Sequence, residues 1–162
     1  MRVTRFQVVC LLTFALCFAV GAQSNRVSVP GLIATESRGD AGAKGDYHVK
    51  SGTYLSLGLG QMSRAAWADV NQHLGWEADY DAQVMNGSVN EKYTDAYVNV
   101  VIPKYLKRYG IPDSVPARLV AYKYGIGRIR TFYQEYTTGW EQACKTSLGS
   151  QWKTYQEAGD EQ

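Results

Sequence analysis

Beyond residue 22 this chain has one cysteine, Cys144, and a lone cysteine closes no internal disulfide. The condition is strict, because the first 22 residues have the layout of an export signal, and exported domains commonly lean on disulfides. Arg2 and Arg5 supply a positive start, and an apolar run follows from Val8 to Val20. Val20-Gly21-Ala22 then offers small residues at the −3 and −1 positions of a cleavage site. The run is short for a bilayer-spanning helix, which needs about 20 apolar residues. An uncleaved membrane anchor is the alternative reading of the same stretch. Cys17 follows Leu16, where a lipoprotein signal would carry a small residue. The expectation is a signal peptide over 1–22 and a secreted or periplasmic domain over 23–162. That length supports one core, and the core alone must hold it.

Charge narrows the partners. The whole chain has 17 Lys and Arg against 15 Asp and Glu; without Arg2 and Arg5 the two signs are equal. The basic balance therefore belongs to the signal, and composition gives no ground for a nucleic-acid partner. Cys144 reads as a small buried apolar residue rather than a nucleophile. His48 and His73 lack ligand-like spacing, so neither a metal site nor a cofactor is expected. A monomer without stable membrane insertion after cleavage is the expected state.

The mature stretch reads as mainly α, with one small β element. Pro30 to Ser37 has a proline in its first turn and Leu32, Ile33 and Ser37 at helical spacing. From Asp46 to Leu57 the texture changes, and Tyr47, Val49, Tyr54 and Leu55 around Lys50-Ser51-Gly52 predict a hairpin. The glycines of Leu57-Gly58-Leu59-Gly60 suggest backbone passing close to another element. Ser63 caps a helix with Ala66, Trp67, Val70 and Leu74 on one face, stopped at Gly75. Ser88 and Glu91 have the spacing of a capping box before Tyr93, Ala96, Tyr97 and Val100. Pro103 is expected to kink or break that helix, because it lacks an N–H and its ring meets the preceding turn. The pattern resumes through Leu106 to a stop at Gly110. Another helix starts at Asp113 or Ser114 and ends near Gly125. Stripes from Ile126 to Tyr136, around Trp140, and at Trp152 and Tyr155 predict three more.

Three segments carry chemistry. In Ile33-Ala34-Thr35-Glu36-Ser37, a carboxylate ends an apolar helix. A half-dry setting raises a carboxyl pKa, and a Glu raised to about 6 can donate a proton near neutrality. Taken alone, Glu36 also reads as a solvated helix-terminal residue. Gln61 and Met62 close the glycine loop Ser56–Met62, and Gln61 can both donate to and accept from a sugar; taken alone, the segment reads more readily as an ordinary glycine loop. Ala121-Tyr122-Lys123-Tyr124-Gly125 is a helix end and glycine break. Tyr122 is placed to reach Glu36 and hydrogen-bond it, or to serve as one core aromatic among 12 tyrosines.

The order and combination are more specific than the parts. Glu-Ser, then Gly-Leu-x-Gln, then Ala-Tyr-x-x-Gly resembles the soluble lytic transglycosylases and their goose-type lysozyme relatives, over about Leu32 to Ile129. The resemblance implies a lysozyme-like fold with a helical domain and a hairpin near an active-site cleft. It implies Glu36 as catalytic acid/base and Ser37, Gln61, Met62 and Tyr122 as substrate-binding positions. Lys123 stands where the family usually has Asn, Gly60 replaces a bulkier residue, and the stretch from Ser37 to Gly58 is longer than in the simplest members. Lys123 is kept as a substrate-binding candidate for its place in the motif.

The implied reaction is cleavage of the β-1,4 bond between N-acetylmuramic acid and N-acetylglucosamine in peptidoglycan glycan strands, leaving a 1,6-anhydro end. Hydrolytic lysozyme chemistry is the competitor, with Asp46, or less readily Asp40, as a second carboxylate; both also suit turns beside glycine. Chitinase- or chitosanase-like cleavage and a non-catalytic peptidoglycan-binding envelope protein complete the alternatives. Tyr54, Tyr124 and Trp67 are candidate stacking surfaces for sugar, with core packing the default for Trp67. The basic residues Lys104, Lys107, Arg108, Arg118, Lys123, Arg128 and Arg130 read as solvated helix faces, a positive surface toward anionic peptide stems being the other reading.

Overall fold

The computed structural model describes residues 26–160; the signal segment expected over 1–22 lies outside the described residues. The protein is mainly helical with one small antiparallel sheet. Helix α1 (Val29–Glu36) is capped by Ser28, whose hydroxyl accepts from the Gly31 N–H at 3.3 Å, with Pro30 in the first turn. It packs mainly on the last helix, α9 (Ser150–Asp160), where Gly31 lies directly against the Tyr155 ring. The Tyr155 hydroxyl also accepts from the Ser28 N–H at 2.8 Å. The stretch after Tyr136, where the sequence carries no readable motif, thus supports the helix that ends at Glu36.

The hairpin is shorter than its predicted span. Strands β1 (Tyr47–His48) and β2 (Thr53–Tyr54) pair Tyr47 with Tyr54 and His48 with Thr53. Irregular antiparallel bonds continue it inward: Leu55 N to Asp46 O at 2.8 Å, Gly45 N to Ser56 O at 2.9 Å and Gly58 N to Ala43 O at 2.9 Å. The strand ends are exposed on both faces, so no apolar alternation extends the regular ladder.

Helix α2 (Arg64–Leu74) runs as expected from its Ser63 cap to a left-handed Gly75. Its Trp67 is buried, stacked on Tyr93 at 3.7 Å with the indole N–H donating to the Ala78 carbonyl at 2.7 Å, which removes it as a sugar platform. A short helix that periodicity does not reveal, α3 (Tyr80–Gln83), follows. Helix α4 (Gly87–Ala96) is capped by Asn86, not Ser88. The Asn86 side chain accepts from the Val89 N–H, while Ser88 sits inside the first turn and donates back to Asn86 at 2.9 Å. An amide in extended backbone two residues earlier outcompetes the hydroxyl.

Pro103 does not break the chain's helical course. The five residues before the next helix, Tyr97–Val101, form a π-helical turn, and α5 (Ile102–Arg108) continues from it with Pro103 in its first turn. The wider turn makes room for the ring against the carbonyl four residues back. Its Asn99 side chain accepts from Val27 N–H at 2.8 Å and donates to Val27 O at 3.0 Å. Helix α6 (Val115–Tyr124) starts at Ser114 and ends at Gly125, where φ is +88°. Helices α7 (Ile126–Glu135) and α8 (Trp140–Leu148) follow, α8 lying along α6. Cys144 is fully buried in this layer as a free thiol, and burial pushes the thiol up to about 12. Arg118 departs from its expected solvated face. It is buried and paired fork-to-fork with Asp113, with two bonds of 2.7 Å, because the start of α6 turns it inward toward that carboxylate. Among the described residues, no helix is long and apolar enough to cross a membrane.

The glycine loop is fastened to α4 from below. Asn90, with no exposed surface, accepts from Gly60 N–H at 2.8 Å and donates to the carbonyls of Leu57 at 3.1 Å and Val84 at 2.8 Å. A β-carbon at Gly58 would collide with the Asn90 amide, and one at Gly60 with the Thr94 side chain. The element that the two glycines were expected to approach is therefore α4. Asn90→Ala strips three buried backbone groups of their partner and is expected to lower stability by roughly 2–4 kcal/mol in denaturant titration. A loss under about 0.5 kcal/mol would show that the loop holds without the clamp.

Candidate functional site

A cavity of about 340 Å³ opens between the end of α1, the glycine loop, the π-helical turn and the end of α6. Of the seven positions proposed from sequence, five line it: Glu36, Gln61, Met62, Tyr122 and Lys123. They come from segments up to 87 residues apart and meet because α1 and α6 both end here and the loop is pinned between them.

Glu36 is the last residue of α1. Its carboxyl has no hydrogen-bond or ion-pair partner within bonding distance among the described residues, and it faces the cavity half-buried. Burial pushes its pKa up from the ordinary 4.5 to about 7, with the positive charge of Lys123 opposing part of the rise. A carboxyl with that value is protonated in about half the molecules at neutrality, the condition for giving up and retaking a proton in one cycle. Among the described residues lining the cavity, Glu36 is the only carboxylate and Lys123 the only cation.

Two of these residues act differently from expectation. The Tyr122 hydroxyl does not bond Glu36. It donates to the Gly60 carbonyl at 2.5 Å and lies 3.2 Å from Met62 Sδ. A phenol has one proton, and the loop carbonyl takes it. Burial first, then the neighbouring Glu36, pushes this phenol far up, so it stays a neutral donor. Gln61 is not free to offer both ends of its amide to a sugar. Its Oε1 accepts from Ser56 at 3.1 Å, and its Nε2 donates to the carbonyls of Ala43 at 3.1 Å and Gly58 at 2.9 Å. Its φ of +50° is left-handed, unusual for a residue with a side chain, and these local bonds offset the strain. Gln61 is thus a latch whose outer face forms the cavity wall. Met62 is buried beneath it, and its carbonyl accepts from Leu57 N–H at 3.1 Å and from the Tyr80 hydroxyl at 2.9 Å.

Ser37 and Asp46 are not brought to the cavity. The Ser37 hydroxyl turns back to the Ile33 carbonyl at 3.4 Å, as the closing residue of α1. Asp46 is exposed at the base of the hairpin, outside the lining. Asp40 is also exposed and accepts from Gly42 N–H at 2.7 Å, the turn role open to it from sequence. Tyr124 lines the cavity and is partly exposed, as a stacking surface needs to be. Tyr54 is exposed on the hairpin, outside the lining.

The sequence reading missed Tyr97. It enters the cavity from the π-helical turn, edge-to-face with Tyr122 at 5.7 Å. Its only sequence signal was the proline that the turn accommodates. Behind Glu36 a smaller recess is closed by Leu148, Gln151 and Tyr155 from the last two helices, so these seal the back of the acid. A wider open groove of about 600 Å³ lies elsewhere, between Arg26–Pro30 and α4; Arg26 and Asp95 pair with each other there at 2.6 Å, and the groove's other acid, Glu91, is exposed.

No protein-family model matches the chain, and no curated protein or solved structure matches it significantly.

The raised Glu36 value carries a stability consequence. Below pH 4.5 the carboxyl is protonated in both folded and unfolded protein. Between 4.5 and about 7 the unfolded chain releases the proton while the folded protein keeps it, so stability falls as pH rises through that window. Glu36→Gln removes this dependence. The variant is expected to match the wild type at pH 4 and exceed it by roughly 1–3 kcal/mol at pH 8 in denaturant titrations. A difference that does not change with pH would put the carboxyl in open solvent.

Proposed function

We propose that this protein is a peptidoglycan-cleaving lytic transglycosylase with a lysozyme-like fold, and that Glu36 is its single catalytic acid/base. The observation that carries the reading is the Glu36 carboxyl itself: alone of its kind in the cavity lining, half-dry, without a bonded partner, and shifted to about 7. The motif order Glu-Ser, Gly-Leu-x-Gln, Ala-Tyr-x-x-Gly, which resembles the soluble lytic transglycosylases, supports it.

The chemistry balances with one carboxyl. Protonated Glu36 gives its proton to the glycosidic oxygen as the bond from C1 of N-acetylmuramic acid to that oxygen breaks. The substrate's N-acetyl carbonyl stabilises the positive C1. Glu36, now ionised, takes the proton from the sugar's 6-hydroxyl as O6 closes on C1. The Glu36 proton is restored, no water is consumed, and the product ends in a 1,6-anhydro ring. Retaining and inverting hydrolases usually place a second carboxylate 5–10 Å or so from the first. The exposed position of Asp46 outside the lining favours the one-carboxyl route over hydrolysis. Tyr122 and Gln61 serve by fixing the loop that forms the opposite wall, and Tyr124 offers a partly exposed ring to a sugar face. The glycan strand is the partner, and the apolar N-terminal segment over 1–22 directs the chain out of the cytoplasm to it.

Mass spectrometry of the fragments released from purified peptidoglycan tests the reading. The wild type is expected to yield disaccharide-peptides one water lighter than the hydrolysed form. Glu36→Gln is expected to lower the rate by about 10²–10⁴. Hydrated ends alone would assign hydrolysis, equal release by wild type and variant would remove Glu36 as the catalytic group, and no release by either would leave a non-catalytic envelope protein.

A further inference from the structure

Lys123 is the feature that acid catalysis leaves unexplained. It is exposed at the cavity and lines both the cavity and the recess behind Glu36. It makes no ion pair among the described residues; its ammonium lies 5.0 Å from the centre of the Tyr124 ring. That ring is itself fixed, since the Tyr124 hydroxyl donates to the Ser147 carbonyl at 3.1 Å. The titratable groups around Glu36 in the two recesses are Tyr122, Lys123 and Tyr124 on α6, Tyr97 on the π-helical turn and Tyr155 on α9, and only Lys123 among them is charged. A cation beside an acid that must hold a proton works against that acid. Its presence is accounted for when the ligand brings a negative charge of its own.

Building on the reading of the cavity as a glycan site, we propose that Lys123 determines substrate choice. Its ammonium pairs with a carboxylate on the strand beside the scissile bond, so the cleft takes acidic amino-sugar polymers in preference to neutral ones such as chitin. The Tyr124 ring lies against the Lys123 ammonium itself and keeps that charge at the cavity edge, where a ligand carboxylate can reach it. Two carboxylates of peptidoglycan have this chemistry. One is the lactyl acid of N-acetylmuramic acid, free only where an amidase-type reaction has removed the peptide. The other belongs to the peptide stem. Pairing with either neutralises the field of Lys123 at Glu36, so substrate binding itself favours the protonated acid, and an ionic partner is matched to the step that needs the proton.

Isothermal titration calorimetry with the Glu36→Gln protein, whose slowed turnover leaves binding readable, tests this on three strands of equal length: chitin, peptide-free peptidoglycan glycan with free lactyl carboxylates, and peptide-bearing glycan whose lactyl carboxyl is amide-bound. With Lys123 present, a carboxylate-bearing strand is expected to bind about tenfold tighter than chitin, and the margin should shrink as salt rises. Lys123→Met should reduce the preference to about twofold or less, and Lys123→Arg should keep most of it. Preference for the peptide-free strand assigns the lactyl acid; preference for the peptide-bearing strand assigns the stem. Equal affinity for chitin and both acidic strands, or a preference that survives Lys123→Met, overturns the proposal and leaves the glycan reading standing. Absence of binding to all three strands overturns both.

Discussion

The Asn90 amide holds the candidate site together. It is wholly buried in α4, and each of its polar atoms is spent on the backbone of the loop that faces Glu36 or on the turn beside it. From the other side the Tyr122 hydroxyl takes the Gly60 carbonyl. The loop is thus clamped between α4 and α6 through both the N–H and the carbonyl of one glycine. Any side chain at Gly60 would displace Thr94 and part the loop from α4. Gln61 is held in a left-handed conformation only because the clamp and its own amide bonds fix the residues around it.

That rigidity decides the electrostatics. The cavity wall opposite Glu36 is built of satisfied backbone and neutral phenols, so nothing there pairs with the carboxyl and burial dominates its pKa. The back of the site is supplied by the end of the chain. Tyr155 packs on Gly31 and accepts from Ser28, fixing the start of α1, while Leu148 and Gln151 close the recess behind its last residue. The last two helices thereby act on an acid more than 100 residues earlier in the chain. Among the described residues a hydrophobic core with Cys144 as a free thiol suffices for this because the helices pack along their lengths: α1 on α9, and α6 on α8.

Much of the fold was legible in the sequence where a local rule had no rival. Ser63 and Gly75 bound α2 because a cap and a left-handed stop leave little freedom. Ser114 and Gly125 do the same for α6. Local reasoning failed where two neighbours competed for one role. Asn86 took the cap that the Ser88–Glu91 spacing suggested, and the disturbance expected at Pro103 takes the form of a π-helical turn, with the helical course continuing beyond it. The short helix α3 has too few residues for periodicity to register. Five of the seven candidate positions line one cavity, but the hydrogen bonds they make were not readable from sequence. Tyr122 and Gln61 line the cavity, yet their polar atoms serve the loop, and Ser37 serves its own helix.

By itself the sequence determined a mainly helical chain with one early hairpin, a single cysteine beyond residue 22, and the order of an acid, a glycine loop and a tyrosine at a helix break. These follow from spacing, capping and backbone freedom, which act over a few residues. Only the tertiary structure decided which side of Glu36 is dry, that Asp46 stands outside the cavity while Lys123 borders it, and that Arg118 is buried on Asp113. Desolvation and Coulomb interaction depend on distance through space, and the groups that set them here come from helices far apart along the chain.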